Sequence, residues 1–373
     1  MGLNAAALPD FPWDSLTPFI ERARAHPDGI VNLSVGTPVD PTPALVREAL
    51  AAASDAPGYP TTHGTPALRE AVSEWFARRR SVPAVDQAGV LPTIGSKELV
   101  AFLPALLGLG DGDVVVHPTV AYPTYDVGAR LAGATPLPAD EVAIWAGNPS
   151  VKLVWVNSPS NPTGAVASRE YLADVVAAAR AIGAVVASDE CYAELAWEEP
   201  WASDGVPSLL DPEVCAGDHA GLLAIYSLSK QSNMAGYRAA FAAGDPSIVA
   251  GLLETRKHAG MIMPGPVQGA MVVALADDEH VAVQRERYRA RRDVLSQALR
   301  AAGCVIDESV AGLYLWVTRG EDCWATIAWL ADRGIVAAPG AFYGEAGARH
   351  VRVALTATDE RISSAARRLV NEQ

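Results

Sequence analysis

Between about residues 85 and 245, short apolar runs alternate with longer stretches whose apolar positions recur at helical spacing. The runs at 114–116, 153–156, 184–187 and 222–226 are too short for helices and hold valine, leucine, isoleucine and alanine almost without polar interruption. That is the pattern of strands buried on both faces. Between two of them, "SREYLADVVAAARAIG" reads as a helix that Ser168 caps and Gly183 ends. "GSKELVAFLPALLGLG" reads as another, with Pro104 a cost or a kink in its interior. The alternation predicts an α/β fold, a three-layer domain with a mostly parallel central sheet covered on both sides.

The texture differs at both ends. The first 45 residues are rich in proline and turn formers and predict an extended arm with little regular structure, until Pro43 opens the helix "ALVREALAAA". After Pro266 a long charged helix, visible in "DEHVAVQRERYRARRDVLSQALRAAG", leads to strand-like "AGLYLWV", a helix "CWATIAWLADRG", a strand "HVRVAL" and a terminal helix beyond Thr358. This is the texture of a smaller α+β domain. Gly108, Gly110 and Gly112 in "GLGDGD" precede a strand instead of following one, which makes them a turn and not a dinucleotide-binding fingerprint.

Composition narrows the function. A chain of 373 residues, 50% hydrophobic and 19% charged, can bury a large core. Its formal net charge of −14 argues against a broad nucleic-acid surface, yet leaves room for a local basic pocket around a small anion. Cys191, Cys215, Cys304 and Cys323 lie far apart, which reads as reduced thiols with no thiolate metal motif. No leading basic-then-apolar segment and no uncharged apolar run of about 18 residues occurs. A cytoplasmic protein without a membrane partner is expected.

Chemistry gathers where the strands end, the place where open α/β sheets bind ligands. The four runs lead into "HPTVAYPTY", "NSPSNPTG", "SDECY" and "SLSK". Turns use the same residue types, but four such ends together point to a site. Asp189 is either a turn residue or a carboxylate at the edge of a buried sheet, where it needs a cationic partner such as a protonated ring nitrogen. Asn161 is a turn residue before Pro162 or a donor to a phenolate oxygen, and Tyr192 packs or donates to the same oxygen. Tyr122 is a core aromatic or a plate on which a heteroaromatic ring stacks. Gly95, Ser96 and Lys97 open a helix whose free N–H groups and dipole suit a phosphate. Arg238 and Ser227, in "YSLSKQSNMAGYR", offer a guanidinium fork and a hydroxyl to the same anion. Lys230 in that stretch is a surface cation or an amine kept for covalent work. His117 and His63 have no ligand partners nearby in sequence and read as loop-packing or substrate-contact residues, with no metal site.

One cofactor accounts for a ring nitrogen, a ring oxygen, a phosphate and an aldehyde that takes a lysine amine: pyridoxal phosphate. Asp189 would keep the ring nitrogen protonated so that the ring accepts electrons. Lys230 would join the cofactor as a Schiff base and, once released, move the proton between substrate Cα and cofactor. Burial and nearby cations would favour its neutral form.

The ordered motifs resemble the class I/II aminotransferases of fold type I, the aspartate aminotransferase superfamily, over nearly the whole chain. "SLSKQSNMAGYR" resembles the family's lysine signature, which implies Lys230 as the Schiff-base lysine and Ser227 and Arg238 as phosphate ligands. "SPSNPTG" and "SDECY" match the segments that supply Asn161, Asp189 and Tyr192. "YPTTHGTPALREAV" is similar to the segment whose tyrosine, here Tyr59, reaches the phosphate of the neighbouring subunit, implying a homodimer with composite sites. "RHVRVAL" places Arg352 on the substrate α-carboxylate, and "LSVGTP" puts Gly36 in the same pocket. The implied division is a large cofactor-binding domain, 46–275, and a small domain made of 1–45 and 276–373. The chain departs from the family in "GAFYGEAG", where many relatives have Phe-Gly, in the lengthened "PTVAYPTY" before the helix, and in Pro266 within "MPGPVQGA", to which no phosphate role is given.

The implied reaction has two halves: an amino acid gives up its amine, and a 2-oxo acid takes it, with 2-oxoglutarate and glutamate the usual pair. "HPTVAYPTYDVGARLAGA" and "TIGSKELVAFLP" look most like the N-succinyldiaminopimelate aminotransferases of lysine biosynthesis. That substrate ends in carboxylates and calls for far-end cations, for which Arg130 and Lys97 are available. The alternatives are an aspartate or broad-specificity aminotransferase and, more distantly, a carbon–sulfur lyase on the same fold.

Overall fold

Alternate residues of the strand Val151–Asn157 feed two different cores. Leu153 and Trp155 pack with the helices Ser96–Leu106, Thr124–Ala132 and Pro246–Ala259, while Val154 and Val156 pack with Pro66–Arg79, Arg169–Ile182 and Gly265–Ala276. The period of two is obeyed but masked in the sequence, because both faces are apolar. The computed structural model describes residues 8, 12–83 and 85–370. Residues 1–7, 9–11, 84 and 371–373, which fall inside the expected domain ranges, lie outside the described residues.

The main sheet has seven strands in the order Val90–Ile94, Ala239–Gly244, Leu222–Ser227, Val185–Asp189, Val151–Asn157, Val114–His117, Thr135–Pro138. All neighbours run parallel except Ala239–Gly244, which is antiparallel to the strands on both of its sides. Both edge strands carry proline, Pro92 in one and Pro136 and Pro138 in the other, where a missing N–H costs least. The helix Arg169–Ile182 shows how the layers are held. Ser168 accepts the Tyr171 N–H, Gly183 closes the end at φ 69°, and Leu172, Val175 and Val176 are buried. Each of those three contributes about 1.5–3 kcal/mol against exposure.

A second sheet has the antiparallel order Ala338–Pro339, Val351–Ala354, Tyr314–Thr318, Val305–Asp307. The helices Glu279–Ala301, Cys323–Asp332 and Asp359–Val370 supply residues to its core. Val31–Asn32 pairs in parallel with Ile335–Val336, and Leu16, Val31 and Leu33 join the same core. No helix of the described residues is long and apolar enough to cross a membrane.

One expectation is corrected. The arm is not without regular structure, for a 3-10 turn Pro12–Leu16 runs into a helix, Thr17–Arg24. Its proline sits in the first turn, where it is tolerated, and Leu16, Phe19, Ile20 and Ala23 gain burial against the C-terminal elements, with Phe19 stacked on Trp324 at 5.6 Å. The strand Ala239–Gly244, "AAFAAG", carries no strand propensity and forms because it is fully enclosed between two neighbours. Pro104 falls within Ser96–Leu106 without ending it at once. Proline leaves the Val100 carbonyl without its helical donor, and Gly128 of the next helix lies against it, so close that a Cβ there would stand 2.9 Å from that oxygen.

Candidate active site

The ladder itself places the first groups. Asn157 and Asp189 are register partners at the ends of adjacent strands, and Ser227 ends the next strand along. The Asn157 side chain donates to the carbonyls of Asp189 (3.0 Å) and Pro159 (3.2 Å) and accepts the Asn161 N–H (2.8 Å). It thereby shapes the loop that carries Asn161.

Asp189 is 8% exposed. Its carboxylate accepts from the Tyr125 hydroxyl at 2.9 Å and from the Cys191 N–H at 3.2 Å. Burial pushes its pKa up, and these bonds only partly offset the cost of the charge. A buried carboxylate in that state is suited to a cationic N–H. Burial and the neighbouring Asp189 charge also drive the Cys191 thiol well above its ordinary range.

Lys230 lies in the short helical turn Leu228–Gln231 that Ser227 caps, and its Nζ donates to the Gly36 carbonyl. Burial pulls its pKa down, and the charges of Arg352 and Arg238 add to that, against the opposing pull of Tyr314 and Cys191. Gly36 has no room for a side chain, since a Cβ would lie 2.2 Å from the Tyr314 hydroxyl. That hydroxyl is 3.1 Å from the Tyr192 hydroxyl. Burial raises the Tyr192 phenol strongly; for Tyr314 the positive charges of Arg352 and Lys230 outweigh burial and bring it below the ordinary value.

Arg352, on the strand Val351–Ala354, donates from Nη1 to Asn161 Oδ1 (2.8 Å) and from Nη2 to the Ser34 carbonyl (2.7 Å). Its guanidinium carbon lies 3.9 Å from the Tyr314 ring centroid and 5.0 Å from that of Tyr343. Its Nε has no partner among the described residues. Asn161, Lys230, Tyr192, Gly36 and Arg352 therefore converge from both sheets and from the N-terminal segment.

A second cluster lies at the start of the helix Ser96–Leu106. Gly95 caps it at φ 74° and donates its N–H to the Arg238 carbonyl at 2.8 Å. A Cβ on Gly95 would stand 2.1 Å from Arg238 Nη2, so the guanidinium rests on the glycine beside the free N–H groups of the helix start. The Ser227 hydroxyl donates to that of Ser229 at 2.8 Å. An anion cup, a buried acid, an amine and a phenol pair are a donor set that fits pyridoxal phosphate.

Other candidates fall elsewhere. Tyr59 is 100% exposed and meets none of these groups within the chain. Tyr122 is half-buried, edge-on to Tyr125 at 6.1 Å, with Lys97 Nζ 5.7 Å from its ring centre. Arg130, considered as a far-end cation, is held by Asp126 at 2.6 and 3.1 Å. His117 and Tyr122 line one cavity with Phe342 and Tyr343. Among the described residues no group of three or more His, Cys, Asp or Glu side chains could hold a metal ion. Sequence reasoning missed Asn157, Tyr125 and Tyr314. The first two stand in the polar strand-end segments; Tyr314 sits in an apolar strand that gives no signal.

Comparison with known proteins adds to this geometry. The family described as aminotransferase class I and II matches residues 28–369. The 4-dedimethylamino-4-oxo-anhydrotetracycline transaminase OxyQ of Streptomyces rimosus is 58% identical over 97% of this chain and 99% of its own. The probable aminotransferase Rv1178 of Mycobacterium tuberculosis is 59% identical over 98% of this chain and 86% of its own. An LL-diaminopimelate aminotransferase of Aquifex aeolicus is 34% identical over 92% and 91%. Among solved structures, a probable N-succinyldiaminopimelate aminotransferase of Thermus thermophilus is similar with a TM-score of 0.84 and 29% identity, over 96% of this chain and 99% of its own.

Proposed function

The chain belongs to the class I and II aminotransferases, and from that premise we propose that it moves the amino group of N-succinyl-LL-2,6-diaminopimelate to 2-oxoglutarate, or back, in two half-reactions. The family depends on pyridoxal phosphate, which when bound supplies an electron-accepting ring beside which an amino acid's Cα–H bond can break. Asp189 would hold the protonated ring nitrogen with its carboxylate, and Asn161 and Tyr192 would donate to the ring oxygen. Tyr122 would offer its aromatic face to the ring. The free N–H groups of Ser96 and Lys97, with Gly95 leaving room beside them and with Ser227 and Arg238, would bind the phosphate. Lys230 would hold the cofactor through Nζ, and its amine would serve as the base that takes the proton from the substrate Cα and returns it. Arg352, with Asn161 and Gly36 beside it, binds the α-carboxylate as a planar fork.

What supports this reading most is the convergence of Lys230, Asn161 and Arg352 around Gly36 and Ser34. We further propose that 46–275 forms the cofactor domain and 1–45 with 276–373 the small domain. The enzyme would act in the cytoplasm as a homodimer in which the exposed Tyr59 reaches the phosphate site of a second copy. The succinylated substrate is supported by the likeness to the Thermus protein. A free diaminopimelate donor is the second reading, favoured by the Aquifex relative.

Turnover of N-succinyl-diaminopimelate, free diaminopimelate, aspartate, an aromatic amino acid and cystathionine, each with 2-oxoglutarate, separates these. Comparable rates on aspartate with none on the succinylated compound would displace the first choice. Borohydride should fix the cofactor on Lys230, and Lys230→Ala should cut turnover by roughly 10⁴-fold or more; unaltered turnover would remove the lysine from the chemistry.

A further inference from the structure

A cavity of about 650 Å³ opens between the segment 117–126 and the loop 342–346. That size suits a whole small ligand. Its walls are largely apolar, from Ala121, Pro123, Pro138 and Phe342. Two lining side chains, His117 and Tyr343, are 8% and 4% exposed, and each has one buried polar atom without a partner among the described residues, His117 Nε2 and the Tyr343 hydroxyl. Tyr343 lies in "GAFYGEAG", the segment in which the chain departs from the family's pattern.

The two atoms have opposite roles. His117 Nδ1 lies 2.9 Å from the Pro118 carbonyl, which can only accept, so Nδ1 carries the proton. Burial lowers the His117 pKa and keeps the ring neutral, leaving Nε2 as an acceptor. Burial raises the Tyr343 phenol, which stays protonated and can donate. The charged lining residues are both acidic: Asp126, already tied to Arg130, and the exposed Glu345 at the rim.

From these observations we infer that the cavity receives the far end of the amino substrate and recognises there a secondary amide, whose carbonyl takes the Tyr343 hydroxyl and whose N–H meets His117 Nε2. A carboxylate would leave His117 Nε2 without a donor, and an ammonium would leave the Tyr343 proton without an acceptor. An amide answers both. The apolar walls suit the methylene chain leading to it, and Lys97, whose Nζ lies 5.7 Å from the ring centre of the lining Tyr122, offers a cation to a terminal carboxylate beyond the amide. The inference rests on the aminotransferase reading and deepens it, since it selects an acylated amine over the free one.

Calorimetric binding to the holoenzyme tests it with 6-acetamidohexanoate, 6-aminohexanoate and nonanoate, in which the amide is respectively present, cut back to the amine and replaced by methylenes. The amide should bind about tenfold tighter than either of the others. Tyr343→Phe and His117→Phe should each reduce that preference to threefold or less. Equal affinity for amide and amine in the wild type, or a preference that survives in both variants, overturns the inference. Binding needs no amine transfer, so an intact amide preference without turnover would uphold the cavity and count against aminotransfer alone. Turnover without the preference would do the reverse.

Discussion

Arg352 and Asn161 are separated by 191 positions and joined by a 2.8 Å hydrogen bond from Nη1 to Oδ1. The bond ties the small sheet to the loop that Asn157 shapes at the end of the main one. The second Nη is fixed on the Ser34 carbonyl, so the guanidinium plane is set before any substrate arrives. Preset orientation is what a bidentate carboxylate grip requires.

Arg352→Lys keeps the charge and loses the planar fork. The loss of one charge-assisted hydrogen bond should lower kcat/KM for the amino donor by about 10- to 100-fold, chiefly through KM. Steady-state kinetics with varied donor concentration reads this directly. A KM within twofold of wild type would take Arg352 off the substrate.

Tyr314→Phe should act through Lys230 and Tyr192. The substitution leaves the Tyr192 hydroxyl buried without its 3.1 Å partner, a cost of about 1–3 kcal/mol. It also removes a group that holds the Lys230 pKa up against burial. The Lys230 pKa then falls further, and the limb of the kcat profile that rises with pH as the freed amine loses its proton should move to lower pH. A limb that stays in place, or moves up, would show that the two groups do not communicate.

Asp189 is costly to the empty protein. Its folded-state pKa lies above the unfolded value, so between the two the native state holds the extra proton and stability falls as pH rises; above the folded pKa the whole cost is present. Asp189→Asn keeps the shape, with the amide oxygen accepting from Cys191 and the amide nitrogen giving to a turned Tyr125 hydroxyl. In cofactor-free protein the variant should gain in Tm relative to wild type, by about 1–3 °C more at pH 8 than at pH 4. With cofactor it should lose turnover. Thermal melts at the two pH values check the first part, and a gain that shrinks with rising pH would contradict it.

The legible parts of this fold were those whose signal is local. Ser168 and Gly183 sit where they cap their helix, and the four strand ends carry polar segments that can be read without knowing what faces them. The rest depended on contacts made far along the chain. Tyr314 lies in "AGLYLWV", an apolar run that gives no sign of Gly36 and Arg352 across from its hydroxyl and ring. "AAFAAG" became a strand because its neighbours enclose it, and Thr17–Arg24 a helix because Trp324 and the C-terminal core cover it. Tyr125 stood within a quoted segment, but only the fold brings its hydroxyl under Asp189.

Gly95→Ala tests the anion cup from the side of the backbone. At φ 74° and ψ 156°, a region essentially confined to glycine, an alanine costs about 1–3 kcal/mol, and its Cβ would occupy the place of Arg238 Nη2, 2.1 Å away. The arginine must then swing off the helix start, so cofactor affinity should fall by about tenfold or more, beyond what lost stability alone would cause. Because both changes act on one guanidinium, Gly95→Ala and Arg238→Lys combined should weaken cofactor binding by less than the product of their separate effects. Absorbance titration of cofactor-free protein gives the three dissociation constants. Full additivity, or a lowered Tm with unchanged affinity, would mean that Gly95 serves only to turn the chain and that Arg238 does not hold the phosphate.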